Sequence, residues 1–202
     1  TLQDVVINAE DYNAITSTIE DLTIKILGSN ALSSKYTTIS LAAQTTITGG
    51  GTLYVKSDRD CALYANGVDL AIDNCQVNAE SSTYAIAGSD GTRETLTINN
   101  AMVTAEGKEN GSICDFANVV LVGCDILQPA GAAFDADLRG IALNGAIVKS
   151  KVIIGDPSSI HTPTIDNATK QGIYTLSGVK LGGEMKDLPK GVYIVNGKKV
   201  VK

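Results

Sequence analysis

A short apolar phrase recurs along this chain at intervals that few folds can accommodate. Leu70-Ala-Ile-Asp-Asn-Cys-Gln-Val77 is followed by Leu96-Thr-Ile-Asn-Asn-Ala-Met-Val103, Val119-Val-Leu-Val-Gly-Cys-Asp-Ile126 and Ile141-Ala-Leu-Asn-Gly-Ala-Ile-Val148. Each copy alternates apolar and outward residues, places a small residue, and closes on another apolar one. The intervals of 26, 23 and 22 residues lie in the range of solenoid repeats. Leu22-Thr-Ile24-Lys-Ile26 and Thr45–Val55 read as earlier copies, so the phrase starts near 22, 45, 70, 96, 119 and 141. The period is two and no helical stretch intervenes, which excludes leucine-rich or α/β alternation. The prediction is an all-β chain: a right-handed single-stranded parallel β-helix of about six coils over residues 22–155.

The ends read differently. Residues 1–21 are polar and loosely amphipathic, and are assigned to an N-terminal cap over the first coil, because an open solenoid end exposes strand edges. Residues 156–170, with Pro157, Pro163 and His161, read as a linker. Residues 171–202 read as a small antiparallel β-meander, with Asn196-Gly197 as a two-residue hairpin signal. Within the repeat, Asn74 and Asn100 precede the small residue and suggest a short asparagine ladder, replaced by glycine at Gly123 and Gly145. Cys75 and Cys124 share that small-residue position two coils apart. Coils stack about 4.8 Å apart, so their Cα atoms should lie roughly 9–10 Å apart, beyond the ~7 Å reach of a disulfide. They are expected as buried small residues in an inward ladder with Ala101 and Ala146.

Composition narrows the partners. The chain has no Trp and two Phe, which suits many thin core layers rather than a few large anchors. A net charge of −6 and a pI near 4.7 argue against nucleic acid and anionic membrane, both of which need basic surface. No run approaches the ~20 apolar residues of a spanning helix, and no cleavable signal is evident. None of the four cysteines forms a C-x-x-C pair, and one His completes no His-rich metal site.

The candidate chemistry is acidic and aromatic. Asp58-Arg59-Asp60 and Asp135-Ala-Asp137-Leu-Arg139 are the tight acid–arginine clusters. Asp115 and Asp137 share a repeat position, as do Asp90 and Asp135. Such acids are either solvated loop charges or line one side, where adjacent-coil carboxylates could hold Ca²⁺. Tyr64 and Tyr84 fall in neighbouring coils and could form a platform for sugar rings, whereas Phe116 and Phe134 read as interior. His161 reads as a surface residue. Gly49-Gly50-Gly51 lacks the Lys-Ser/Thr of a phosphate loop and reads as a tight corner.

Two resemblances add to this. Tyr174, Leu176, Gly178, Pro189, Gly191, Tyr193 and Asn196-Gly197-Lys198-Lys199-Val200 resemble the C-terminal segment of secreted proteins of the Bacteroidetes type. That likeness implies export or surface sorting, hence a secreted or cell-surface protein of a Gram-negative envelope. Thr46–Val55 followed by Leu70-Ala-Ile-Asp-Asn-Cys75 resembles pectin-lyase-like β-helices, particularly short carbohydrate-binding domains of bacterial surface proteins. The Gly-His-Gly and Arg-x-Lys signatures of β-helix polygalacturonases are absent. The expected function is non-catalytic binding of a polysaccharide or surface glycan, or an adhesin-like role. Tyr64, Tyr84, Asp58, Arg59, Asp135, Asp137 and Arg139 are the ligand-binding candidates, and Ca²⁺ at Asp115 and Asp137 is the candidate metal. The alternatives are a reduced polysaccharide lyase or glycoside hydrolase, and a structural spacer.

Overall fold

A computed structural model describes residues 1–91, 93–158, 172–175, 178–182, 185–195 and 198–202. The repeat phrase becomes the first strand of a three-strand coil, and five such coils stack. They comprise β1 (Leu2–Gln3), β2 (Val6–Asn8) and β3 (Ile15–Ser17); β4 (Leu22–Leu27), β5 (Ser29–Ser34) and β6 (Ile39–Leu41); β7 (Thr45–Thr48), β8 (Thr52–Ser57) and β9 (Cys61–Ala65); β10 (Leu70–Asp73), β11 (Gln76–Ser81) and β12 (Tyr84–Ala87); and β13 (Thr95–Asn99), β14 (Met102–Gly107) and β15 (Gly111–Cys114). Corresponding strands of successive coils pair in parallel, making three long sheets. The result is a β-solenoid.

The register shows why the phrase recurs. Ile24, Ile47, Ile72, Ile98 and Leu121 pair in one row. Ile15, Ile39, Leu63, Ile86 and Ile113 pair in another. Apart from the half-buried end members Ile15 and Leu121, these side chains are buried in one continuous core. Leu70 and Leu96 point inward with them. Alternation in the first two sheets thus puts every second residue into a dry column, whereas in the third sheet the consecutive pairs Ala62-Leu63 and Ala85-Ile86 both enter the core.

Three expectations about the ends change. Residues 2–17, expected as a cap, instead carry β1, β2 and β3, which pair in parallel with β4, β5 and β6 as the first coil. The phrase at Val119 opens a further turn as β16 (Asn118–Val122), parallel to β13. The phrase at Ile141 does not continue the stack, so there are five full coils rather than six. After β17 (Asp125–Gln128) and β18 (Ala133–Asp135), β19 (Gly140–Leu143) pairs antiparallel with both β15 and β18. Asn144 and Gly145 both have positive φ, 52° and 76°, the signature of a two-residue hairpin turn. They reverse the chain into β20 (Ala146–Ile147), leaving Ala146 exposed and outside the cysteine ladder. In Asp73-Asn74-Cys75 only Asn74 is left-handed, and the chain turns a corner instead of reversing. Finally, β21 (Val152–Gly155) lies antiparallel between β14 and β17, burying Val152 and Ile154 over the last coil. Antiparallel strands thereby close this end of the parallel stack.

Asn74 and Asn100 do not form a ladder with each other. Both occupy the left-handed corner, are exposed, and donate to their neighbours Asp73 and Asn99. Asn99 in turn donates to Asp73 across the coils. The buried ladder is of serine: Ser34, Ser57 and Ser81 share a register position at the corner between the second and third sheets. Their hydroxyls donate to the backbone oxygens of Tyr12, Tyr36 and Asp60. All four cysteines are free and buried.

The chain divides into units Thr1–Ser159 and Ile160–Lys202. The second carries a four-stranded antiparallel sheet of β22 (Ile173–Thr175), β23 (Lys180–Leu181), β24 (Val192–Val195) and β25 (Lys198–Val201) in the order β23-β22-β24-β25. Val195 pairs with Lys198, and Tyr193 is buried. The hairpin at Asn196-Gly197, His161 and most of the linker lie outside the described residues. Among the described residues, no helix is long and apolar enough to cross a membrane.

Candidate functional site

The outer face of the third sheet carries a cleft of about 310 Å³ between coils three and five. Its placement follows from the register. Cys61 of β9 pairs with Tyr84 of β12, and Tyr64 with Ala87, which also pairs with Cys114 of β15. The two tyrosines therefore stand on adjacent coils over a floor of Cys61, Ala87 and Gly88. Both tyrosines are half-buried. Asp60 and Asp115 complete the lining with Thr37 and Ser89. Asp60 precedes β9, whereas Asp115 follows β15.

Each polar group is held. The Asp60 carbonyl accepts from Ser81 and Thr83, its N–H donates to Ser57 Oγ, and its carboxylate accepts from Thr37 Oγ1 at 2.7 Å. The serine ladder therefore fixes the residue that begins the cleft. Tyr64 Oη hydrogen-bonds Asn66 Oδ1 and Ser89 Oγ, each at 3.2 Å. Ser89 belongs to the loop 88–93, which is tied by a buried carboxylate. Glu94, 0% exposed, accepts from the backbone N–H groups of Ser89, Asp90, Gly91 and Arg93 at 2.7–3.3 Å. Burial raises its pKa, but these N–H donors outweigh burial and bring it down to about 2. Gly88 packs against this knot: a Cβ there would lie 2.1 Å from the Asp115 carbonyl oxygen and 2.8 Å from Glu94 Cγ.

Asp115 behaves oppositely. Burial raises its pKa, the Cys114 thiol and the Arg139 guanidinium lower it, and Glu94 raises it, with a net rise. A carboxyl raised in a cleft is a candidate functional group, although Glu94 shows that structural ties perturb carboxyls too. Replacing Arg139 with alanine should lift the Asp115 pKa further, read by NMR titration of the side-chain carboxyl. An unchanged or lower value would show that Arg139 does not act on it. Tyr84 is also raised, chiefly by burial and then by Asp115.

The expected site residues are only partly gathered. Tyr64, Tyr84 and Asp115 share the cleft. Arg139 is exposed beside it, its guanidinium donating to the Asp90 carbonyl and its aliphatic stem against Gly91. Asp58 lies instead in a separate depression with Glu10, Asp11, Lys35 and Lys56, and Arg59 is exposed outside the cleft. Asp135 accepts from the N–H groups of Asp137 and Leu138, capping its own turn, and Asp137 is exposed there. Asp137 therefore does not line the cleft with Asp115. Among the described residues, no group of three or more His, Cys, Asp or Glu is placed to hold a metal ion. Phe116 is fully buried and Phe134 half-buried against the core.

Sequence reasoning did not single out Thr37, Cys61, Ser89 or Glu94, and favoured Asp58 and Arg59 over Asp60. Strand alternation does not find Asp60, because in β9 Ala62 and Leu63 both pack into the core while Cys61 and Tyr64, three apart, share the cleft. Only closeness in sequence marks it. It immediately precedes the β9 strand that carries Tyr64, whereas Asp58 follows the preceding strand.

A second depression of about 400 Å³ lies on the outer face of the second sheet, where Ala31, Tyr54, Asn78 and Thr104 form one cross-coil row. Its lining carries both signs of charge, Glu80 and Glu106 with Lys56 and Lys151, and Glu80 is engaged by Lys108 at 4.0 Å. No protein-family model, curated protein or solved structure matches this chain.

Proposed function

We propose that this chain is a non-catalytic carbohydrate-binding β-solenoid of pectin-lyase-like build, and that the Tyr64–Tyr84 cleft is its sugar site. Its tail, by the resemblance noted above, directs it to the cell surface or exterior. One observation carries the reading: two half-buried tyrosines on neighbouring coils line one cleft with Asp60, Asp115, Thr37 and Ser89 over small residues. A pyranose offers an apolar C–H face for the rings and a rim of hydroxyls for the acceptors.

Isothermal titration against a panel of soluble oligosaccharides tests the proposal. Tyr64→Ala and Tyr84→Ala should each weaken binding about tenfold, the factor that ~1.4 kcal/mol represents. Tyr54→Ala, on the second sheet, should leave it unchanged. No binding to the wild-type protein at millimolar sugar, or loss confined to Tyr54→Ala, would overturn the assignment. A hydrolytic reading is favoured by one feature, a carboxyl of raised pKa sharing a cleft with a second carboxylate. Reducing-end release from the same oligosaccharides, abolished by Asp115→Asn, would replace the binding reading with that one.

A further inference from the structure

We infer that the cleft selects amine-bearing sugars, of the 2-amino-2-deoxyhexose class, over neutral sugars and over uronates. This rests on the saccharide reading above and adds the chemistry of the ligand. The lining holds two carboxylates, Asp60 and Asp115, and no Lys, Arg or His. Arg139, outside the lining, offsets part of the charge at Asp115, but its guanidinium is held at the Asp90 carbonyl, and burial and Glu94 leave the Asp115 carboxyl raised all the same. The Glu94 carboxylate behind the wall adds to the negative field at Asp115. The whole chain carries a net charge of −6.

These charges rank the possible ligands. A uronate would lose hydration to enter a cleft of its own sign, with no cation in the lining to compensate. A neutral hexose gains ring contact and hydrogen bonds alone. An ammonium group on the sugar gains both of these. It also meets carboxylates and the negative faces of Tyr64 and Tyr84, which attract cations by the ring quadrupole. The carboxylates stand at the two ends of the site, one before β9 and one after β15. An oligomer carrying an amine on every ring can therefore reach both. Thr37 fixes the orientation of the Asp60 carboxylate in advance, so little ordering is required on binding.

The test compares three trisaccharides on the full chain: glucosamine, N-acetylglucosamine and galacturonate, by isothermal titration at about pH 5.5, where the amine of a 2-amino sugar, lowered like an α-amino group by its electron-withdrawing neighbours, is charged. The glucosamine trimer should bind about tenfold more tightly than its acetylated counterpart, and the galacturonate trimer most weakly. Asp60→Asn and Asp115→Asn should each narrow the glucosamine preference severalfold. Raising the salt concentration on the wild-type protein should narrow it too, which reads the same charge without any substitution. Equal or tighter binding of the acetylated or galacturonate trimer would overturn the selection while leaving the sugar site in place. Silence from all three trimers and from the wider panel would overturn both.

Discussion

Replacing Ile72 with alanine should cost the solenoid about 3–4 kcal/mol, within the range for emptying a buried isoleucine site. Ile72 is fully buried at the centre of the row Ile24, Ile47, Ile72, Ile98 and Leu121, flanked by coils on both sides. Those neighbours are hydrogen-bonded strands of fixed spacing, so they cannot collapse into the void. Domains are stable by only about 5–15 kcal/mol, so the loss is a large fraction of the total. Leu121→Ala, at the half-buried end of the same row, should cost half as much or less. Chemical denaturation followed by far-ultraviolet circular dichroism reads both. Equal costs at the two positions would show that the row is not a continuous column, and the layered interior would have to be abandoned.

That column was the most legible feature of the sequence. Leu70, Leu96 and Val119 recur because each coil must supply one apolar side chain to each layer, and the spacing of the phrase is the length of a coil. The end of the stack was not legible by the same means, because Ile141-Ala-Leu-Asn-Gly-Ala satisfies the hydrophobic pattern of a coil. What differs is chain direction rather than burial: Asn144-Gly145 forms a hairpin turn that pairs β19 with β20 antiparallel, although consecutive positive φ alone does not force this, since Gly49 and Gly50 share it and turn a coil corner. The first coil was hidden for a related reason. β1, β2 and β3 are two or three residues long, too short to show alternation. The tyrosines of the cleft were visible because aromatics are scarce in this chain. Asp60 and Glu94 were not, because their roles arise from backbone contacts that bring loops of different coils together. A carboxylate that ties a loop looks in sequence like any solvated acid.

Glu94 gives that distinction a measurable consequence. Its pKa in the folded protein is about 2, against 4.5 for the unperturbed group. A depressed carboxyl stabilises the fold above the unfolded-state value, and that contribution is lost as pH falls from about 4.5 towards 2. At about 1.4 kcal/mol per pH unit, the contribution is up to about 3 kcal/mol. Glu94→Gln retains an acceptor of similar size but removes the charge that holds the N–H groups of Ser89, Asp90, Gly91 and Arg93. The variant should be about 2–3 kcal/mol less stable than wild type at neutral pH, and the gap should close as the pH approaches 2. Urea midpoints measured across that range decide it, since a gap independent of pH would assign the loss to shape rather than charge. Ser89 bridges this knot to the Tyr64 hydroxyl, so the sugar binding proposed for the cleft should weaken in the variant even where it is fully folded. The same buried carboxylate thus supports both the stability of the fifth coil and the wall of the cleft.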